Sequence, residues 1–283
     1  MSPMVNLFFL HTTGFPHKLQ SAGSRRRVDP LVTRCRSHCP FDLSIPHPSD
    51  KPMTRYLPLV LAASGLTHFW IAPLLADEPA ASKADAGNLQ TVFQEDFESG
   101  IDRWEVLDSE TWQWTEHDGN HTFAITQRKS KYVPPTRSPG HVALIKNLEL
   151  SSFEMTFRVR STKDTGNHRD CCVFFNYQDS RHFYYVHLGA KPDPHSGQIM
   201  IVNEAPRLAL TQNESHTPWD DDWHQVRVVR DVDSGDIVIY FDDMQTPHMR
   251  VKDQRFKHGR LGIGSFDDMN EFDDIVVRAP EKR

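Results

Sequence analysis

The sequence predicts an all-β chain whose working part is a two-sheet antiparallel sandwich, on three observations. From residue 90 onward no stretch of helix length carries apolar positions at a helical spacing. Short alternating or apolar runs are separated instead by clusters of Gly, Pro, Asn and Asp, the punctuation of sandwiches and barrels. Residues 223–243 then read as two alternating strands around Asp233, Ser234 and Gly235, the best-defined hairpin in the chain.

Taken in order, the chain begins with an atypical leader. Residues 1–52 are rich in Arg, Pro, Ser and His and lack periodicity, as expected of a disordered stretch or of a start assigned too early, with Met53 as the first residue. Residues 53–76 read as a signal peptide: Met-Thr-Arg-Tyr, an apolar run from Leu57, and Ala76 before Asp-Glu-Pro. The competing reading is an uncleaved anchor, since about twenty apolar residues just span a bilayer. Gly65, His68 and Pro73 weaken such a helix and favour cleavage. The expectation is a secreted or periplasmic protein with no stable membrane insertion.

Residues 1–76 hold 8 of the 32 Lys/Arg and 3 of the 38 Asp/Glu, which leaves 24 against 35 and a net of −11 for the remainder. Phosphate backbones repel such a surface, and no Lys/Arg stripe is visible, so a nucleic-acid partner is excluded. Cys35 and Cys39 fall in the leader. Cys171 and Cys172 are neighbours on a predicted strand and point to opposite faces, so they do not readily bridge each other, and at least one is expected to be buried.

A linker over 77–89 leads into a domain over 90–283. Strands are expected at 91–97, 112–115, 122–126, 142–145, 153–160, 171–177, 182–188, 198–203, 207–211, 223–230, 236–241, 260–265 and 272–278. In 153–160 the apolar set is Phe153, Met155, Phe157 and Val159, with Glu154, Thr156, Arg158 and Arg160 turned the other way, so one sheet has a charged face. In 182–188 both sides are bulky, as where one face packs a core and the other lines a groove. The opening and closing strands lack other obvious partners and are expected to pair.

The order Trp223-His-x-Val-Arg-Val, Gly turn, Ile-x-Ile-Tyr-Phe-Asp-Asp, Gly259-Arg-Leu-Gly-Ile-Gly264 and Phe272-Asp-Asp-Ile-Val-Val-Arg278 resembles the concanavalin A-like lectin/glucanase jelly rolls, laminin G-like domains included. Glu95-Asp-Phe-Glu-Ser-Gly100 followed by Trp104 resembles their first strand, and the likeness spans 92–278. Within that group the chain is most similar to exported domains of the 3-keto-disaccharide hydrolase type, without their Asn-Ser-Gly-x-x-x-Arg segment. The resemblance implies a jelly roll and a glycan or polysaccharide as partner. It also implies a structural Ca²⁺ between the opening and closing strands, at Asp96 and Asp274, carboxylate oxygens being what that ion takes.

No strand carries the Glu-x-Asp-x-x-Glu spacing that sets two carboxylates across a glycosidic bond. The nearest in composition, 267–271, reads as a loop. Arg158, Asn176, Tyr185 and His187 lie on neighbouring predicted strands and compose either a lyase set, with a Tyr or His base and a cation against a uronate, or the wall of a lectin groove. A solvated sheet face with ordinary cross-strand pairs is the plain alternative. Residues 219–223, Trp-Asp-Asp-Asp-Trp, lack EF-hand spacing and read as an acidic turn. Two functions stay open: non-catalytic carbohydrate binding, slightly favoured because the carboxylate pair is missing, and a polysaccharide hydrolase or lyase using a polar concave face.

Overall fold

Burial alternates with period two in strands such as Phe153–Ser161 and His224–Arg230 and runs almost unbroken in others such as His182–His187 and Gln198–Asn203. The computed structural model describes residues 89–281, so the leader at 1–52, the signal peptide at 53–76 and the linker up to residue 88 lie outside the described residues. The strands are β1 (Leu89–Glu95), β2 (Trp104–Val106), β3 (Trp112–His117), β4 (Asn120–Ile125), β5 (His141–Leu150), β6 (Phe153–Ser161), β7 (Cys172–Asp179), β8 (His182–His187), β9 (Gln198–Asn203), β10 (Leu208–Ala209), β11 (His224–Arg230), β12 (Asp236–Phe241), β13 (Met249–Lys252), β14 (Gly259–Ser265) and β15 (Asn270–Pro280). Among the described residues the helical content is a single 3-10 turn, Gly166–His168, and no helix is long and apolar enough to cross a membrane.

The first sheet runs β13-β12-β11-β6-β15-β4-β3, with β1 also paired to β15; the second runs β10-β9-β8-β7-β14-β5-β2. All pairings are antiparallel, and the expected two-sheet antiparallel sandwich is the fold observed. The opening and closing strands do pair, from Leu89 against Pro280 to Glu95 against Ile275. Strands β2 and β13 were not anticipated, and the strand expected at 207–211 shrinks to the two residues of β10.

In β6, Phe153, Met155, Phe157 and Val159 are buried while Glu154, Thr156, Arg158 and Arg160 are half-buried. The buried set joins Val226, Val228, Phe272 and Ile275 against Phe175, Tyr184, Val186 and Ile263 of the second sheet. The second sheet is apolar on its outer side too, where Val142, Leu144, Phe174, Tyr185 and Met200 form a separate buried cluster. Tyr132 packs on that cluster from the segment 126–140. Asp108 holds this segment by accepting from Ser130 Oγ (3.0 Å) and Lys131 N (2.5 Å), and Arg137 O accepts from Arg207 N at 3.1 Å.

One buried cation ties the sheets together at their far end. Asn176 interrupts β7 with φ +43°, and its Oδ1 accepts from Arg230 Nε at 3.1 Å. Arg230, fully buried, donates further to Gly235 O (2.8 Å), Asp253 O (2.8 Å) and Phe256 O (3.0 Å). Gly259 passes so close that a Cβ there would lie 2.5 Å from the Asn176 carbonyl carbon, which restricts the position to glycine. Replacing Arg230 strands several buried acceptors at once, and hydrogen bonds to charged groups are worth more than neutral ones. Arg230→Met is therefore expected to lower stability by about 3 kcal/mol in urea unfolding; a loss under about 1 kcal/mol would show that this network is not a main tie.

Candidate functional site

Strand register builds a polar site at one end of the second sheet's outer face. In the β7–β8 ladder Cys172 stands opposite His187 and Phe174 opposite Tyr185, so alternation puts all four on that face. Cys171 falls into the inter-sheet core and Cys172 into the outer cluster, both fully buried, as their adjacency implied. Asp170 lies just before the strand.

The Asp170 carboxylate is buried and gathers the turn that follows β14. It accepts from Ser265 Oγ (2.8 Å), Phe266 N (2.8 Å) and Asp267 N (3.3 Å), while Asn270 Nδ2 donates to Asp170 O at 2.8 Å. Burial pushes the Asp170 carboxyl up, but the His187 ring, the Phe266 amide and the Ser265 hydroxyl outweigh it and hold the group below its ordinary value. Neighbouring Asp268 accepts from Ser161 Oγ (2.8 Å) and Thr165 Oγ1 (3.1 Å), yet burial, with the Asp170 charge adding to it, raises it to about 6. His187 Nδ1 lies 3.0 Å from His195 O, and a carbonyl only accepts, so that nitrogen carries a proton. His187 Nε2 faces Asp170 Oδ2 at 3.8 Å.

Above these residues opens a cleft of about 610 Å³. Phe266 forms one wall, its ring stacked on His187 with centroids 5.7 Å apart and overlooked by the guanidinium groups of Arg207 (4.3 Å) and Arg137 (5.3 Å). The acidic residues of the wall are engaged. Asp193 accepts from His195 N at 2.6 Å, Asp267 pairs with Arg128 at 3.2 Å, and Asp170 holds the turn. Of the basic ones Arg169 pairs with Asp221, but the others are not matched in the same way. Among the described residues no carboxylate pairs with Arg137, Lys191 or Arg207, and Arg207 Nη1 and Tyr185 Oη are buried without a hydrogen-bond partner. A second cleft of about 430 Å³ shares Asn167 and Arg169 with the first and is bordered by Trp219 and Asp221.

The predicted constellation comes only partly together. Tyr185 and His187 share the outer face of β8, with ring centroids 6.3 Å apart. Arg158 does not join them, because β6 belongs to the first sheet; its side chain pairs there with Asp273 (2.9 Å) and Asp274 (2.6 Å) beside the Trp223 ring. Asn176 does not join them either, because the irregularity in β7 turns its side chain toward Leu150 O, Ser151 O and Arg230. Asp96 is exposed and accepts from the Glu98 amide, and Asp274 is exposed and paired to Arg158. Asp170, Cys172, Phe266, Arg137 and Arg207 were not singled out from the sequence as site residues. Registering 172–179 against 182–187 across their short turn would have set Phe174 opposite His187; the irregularity between Phe175 and Asp179 shifts the register by two and brings Cys172 there instead.

No protein-family model matches the chain, and no curated protein sequence matches it. Solved structures similar to it include the carbohydrate-binding module CBM66 from Bacillus subtilis, at 16% identity over 62% of this chain and 96% of that one, with a TM-score of 0.46. The Emp47p carbohydrate recognition domain is similar at 15% identity over 69% and 98%, TM-score 0.46. Winged bean acidic lectin bound to methyl-α-D-galactose is similar at 13% identity over 69% and 100%, TM-score 0.44. The two-sheet architecture stands on this chain's own strand pairing.

Asp170→Ala removes the acceptor for three donors in the 265–267 turn and is expected to destabilise by about 3 kcal/mol, against about 1 kcal/mol for Ser265→Ala. Thermal and urea unfolding of the two variants measure the difference; equal, small losses would show that Asp170 does not organise the turn.

Proposed function

We propose that this chain is an exported, non-catalytic carbohydrate-binding protein whose ligand is an acidic glycan seated in the Phe266 cleft. The observation that supports this most is electrostatic. A segment with 24 basic against 35 acidic residues over 77–283 sets Arg137, Lys191 and Arg207 around one cleft without carboxylate partners. A guanidinium so placed offers a fixed fork of donors to a carboxylate or sulfate, and the Phe266 ring keeps two such forks side by side. A cationic concavity in an otherwise anionic surface also focuses the field on an incoming anion.

The binding reading is preferred over the hydrolase or lyase on the state of the candidate bases. His187 Nδ1 is engaged by His195 O, and Nε2 is turned toward the buried Asp170 carboxylate 3.8 Å away. Burial pushes the Tyr185 hydroxyl well above its ordinary value, so it does not take a proton near neutrality. The wall carboxylates are tied to backbone amides or to Arg128, and none is placed as an acid facing a base.

The test is a binding panel with the full chain against neutral, uronate-containing and sulfated polysaccharides. Uronate or sulfated chains are expected to bind and neutral ones not, with affinity falling as salt rises. Arg207→Ala and Arg137→Ala should each weaken binding about tenfold or more, as loss of a charge-assisted hydrogen bond implies. Equal binding of neutral and acidic glycans, or variants that bind like the parent, would sink the proposal. Release of unsaturated oligosaccharides from a uronate polymer would replace it with the lyase reading.

A further inference from the structure

We propose that Asp170, Cys172 and His187 hold a divalent transition-metal ion, zinc by preference, at the floor of the cleft. Asp170 and His187 also line the cleft, whereas Cys172 does not. Among the described residues these three form the one group in which a carboxylate oxygen, a thiol sulfur and an imidazole nitrogen all lie within 4.8 Å of one another. All three residues are buried.

Register and spacing support the assignment. Cys172 and His187 are directly opposed in the β7–β8 ladder, so their side chains are held together by backbone hydrogen bonds rather than by chance. His187 Nδ1 is protonated against His195 O, which leaves Nε2 as the lone-pair nitrogen, turned toward Asp170. The separations are wide for direct contacts. His187 Nε2 to Asp170 Oδ2 is 3.8 Å, beyond hydrogen-bond range, and Cys172 Sγ to Asp170 Oδ1 is 3.9 Å. Zinc bonds of about 2.0–2.3 Å in a tetrahedron place neighbouring ligand atoms roughly 3.3–3.7 Å apart, so these three, all within 4.8 Å of one another, must draw together to reach metal distance.

The donor set is also coherent in charge. A thiolate and a carboxylate neutralise a divalent ion, which lets it sit in a buried place, and binding expels the thiol proton to solvent. Tyr185, the next residue along that face of β8, is fully buried and leaves its Oη without a hydrogen-bond partner. Imidazole and thiolate together select a borderline-soft ion over calcium or magnesium.

The experiment uses the chelator-stripped full chain carrying Cys35→Ser and Cys39→Ser, so that thiol signals come from the strand pair alone. Cobalt(II), as the spectroscopic stand-in for zinc, is expected to bind with one-to-one stoichiometry and to show a thiolate-to-cobalt charge-transfer band that zinc abolishes. Cys172→Ser should remove the band, His187→Gln should weaken binding about tenfold or more, and Cys171→Ala should keep both. Should Cys172→Ser fail to fold, X-ray absorption of the zinc-loaded parent supplies the readout: one sulfur at about 2.3 Å and nitrogen or oxygen neighbours at about 2.0–2.2 Å. Absence of the band and of the sulfur neighbour, survival of the band in folded Cys172→Ser, or its loss in folded Cys171→Ala would overturn the assignment. None of these outcomes depends on glycan binding, so the two proposals fail separately.

Discussion

Both faces of the second sheet are apolar, and this constraint shapes the rest of the molecule. A sheet with water on one side needs only alternating residues, whereas β7, β8 and β9 are buried on both sides and must be covered twice. The first sheet covers one face. The segment 126–140 covers part of the other, pinned by Asp108 and by the Arg207 N to Arg137 O bond. Where that cover stops, at the His187 end of β8, the sheet's outer side becomes polar and the cleft opens. The same backbone bond that fastens the cover also sets Arg137 beside Arg207.

The polar floor of the cleft is stable because its donors and acceptors are nearly all matched to one another. Asp170 receives a hydroxyl and two backbone amides, and a buried carboxylate so supplied keeps its charge at little cost. Burial raises Asp268 next to it, and that charge adds to the rise. The polar atoms left over at this end of the molecule are Arg169 Nε, Tyr185 Oη, Arg207 Nη1 and Asn270 Oδ1.

The fold was largely legible in the sequence, and the site only in part, for a physical reason. Strands of six or more residues announce themselves by alternation or by an apolar run, as Phe153–Ser161 and His224–Arg230 do. Trp104–Val106 and Met249–Lys252 are too short to show a period. Tyr185 and His187 were found because a strand bulky on both sides implies a second burial surface. Arg158 was misplaced because alternation says which residues share a side of one strand but not which strands share a sheet. Asn176 was misplaced because a single left-handed residue turns its side chain away from the face that period two assigns it. Phe266 and Arg207 sit outside strands, where no periodic signal exists.

The position of β14 and β15 in the chain has a consequence for how the protein comes into being. β14 bridges β7 and β5 at the heart of one sheet, and β15 bridges β6, β4 and β1 at the heart of the other, yet both come last in order among the described strands. Until those two strands arrive neither sheet can close, and Leu89 waits for Pro280 across nearly the whole domain. Assembly is therefore a late, all-or-none event dominated by distant pairings, slow by the standards of local folds. A chain interrupted before β14 lacks an interior strand in each sheet and leaves the neighbouring strand edges unpaired.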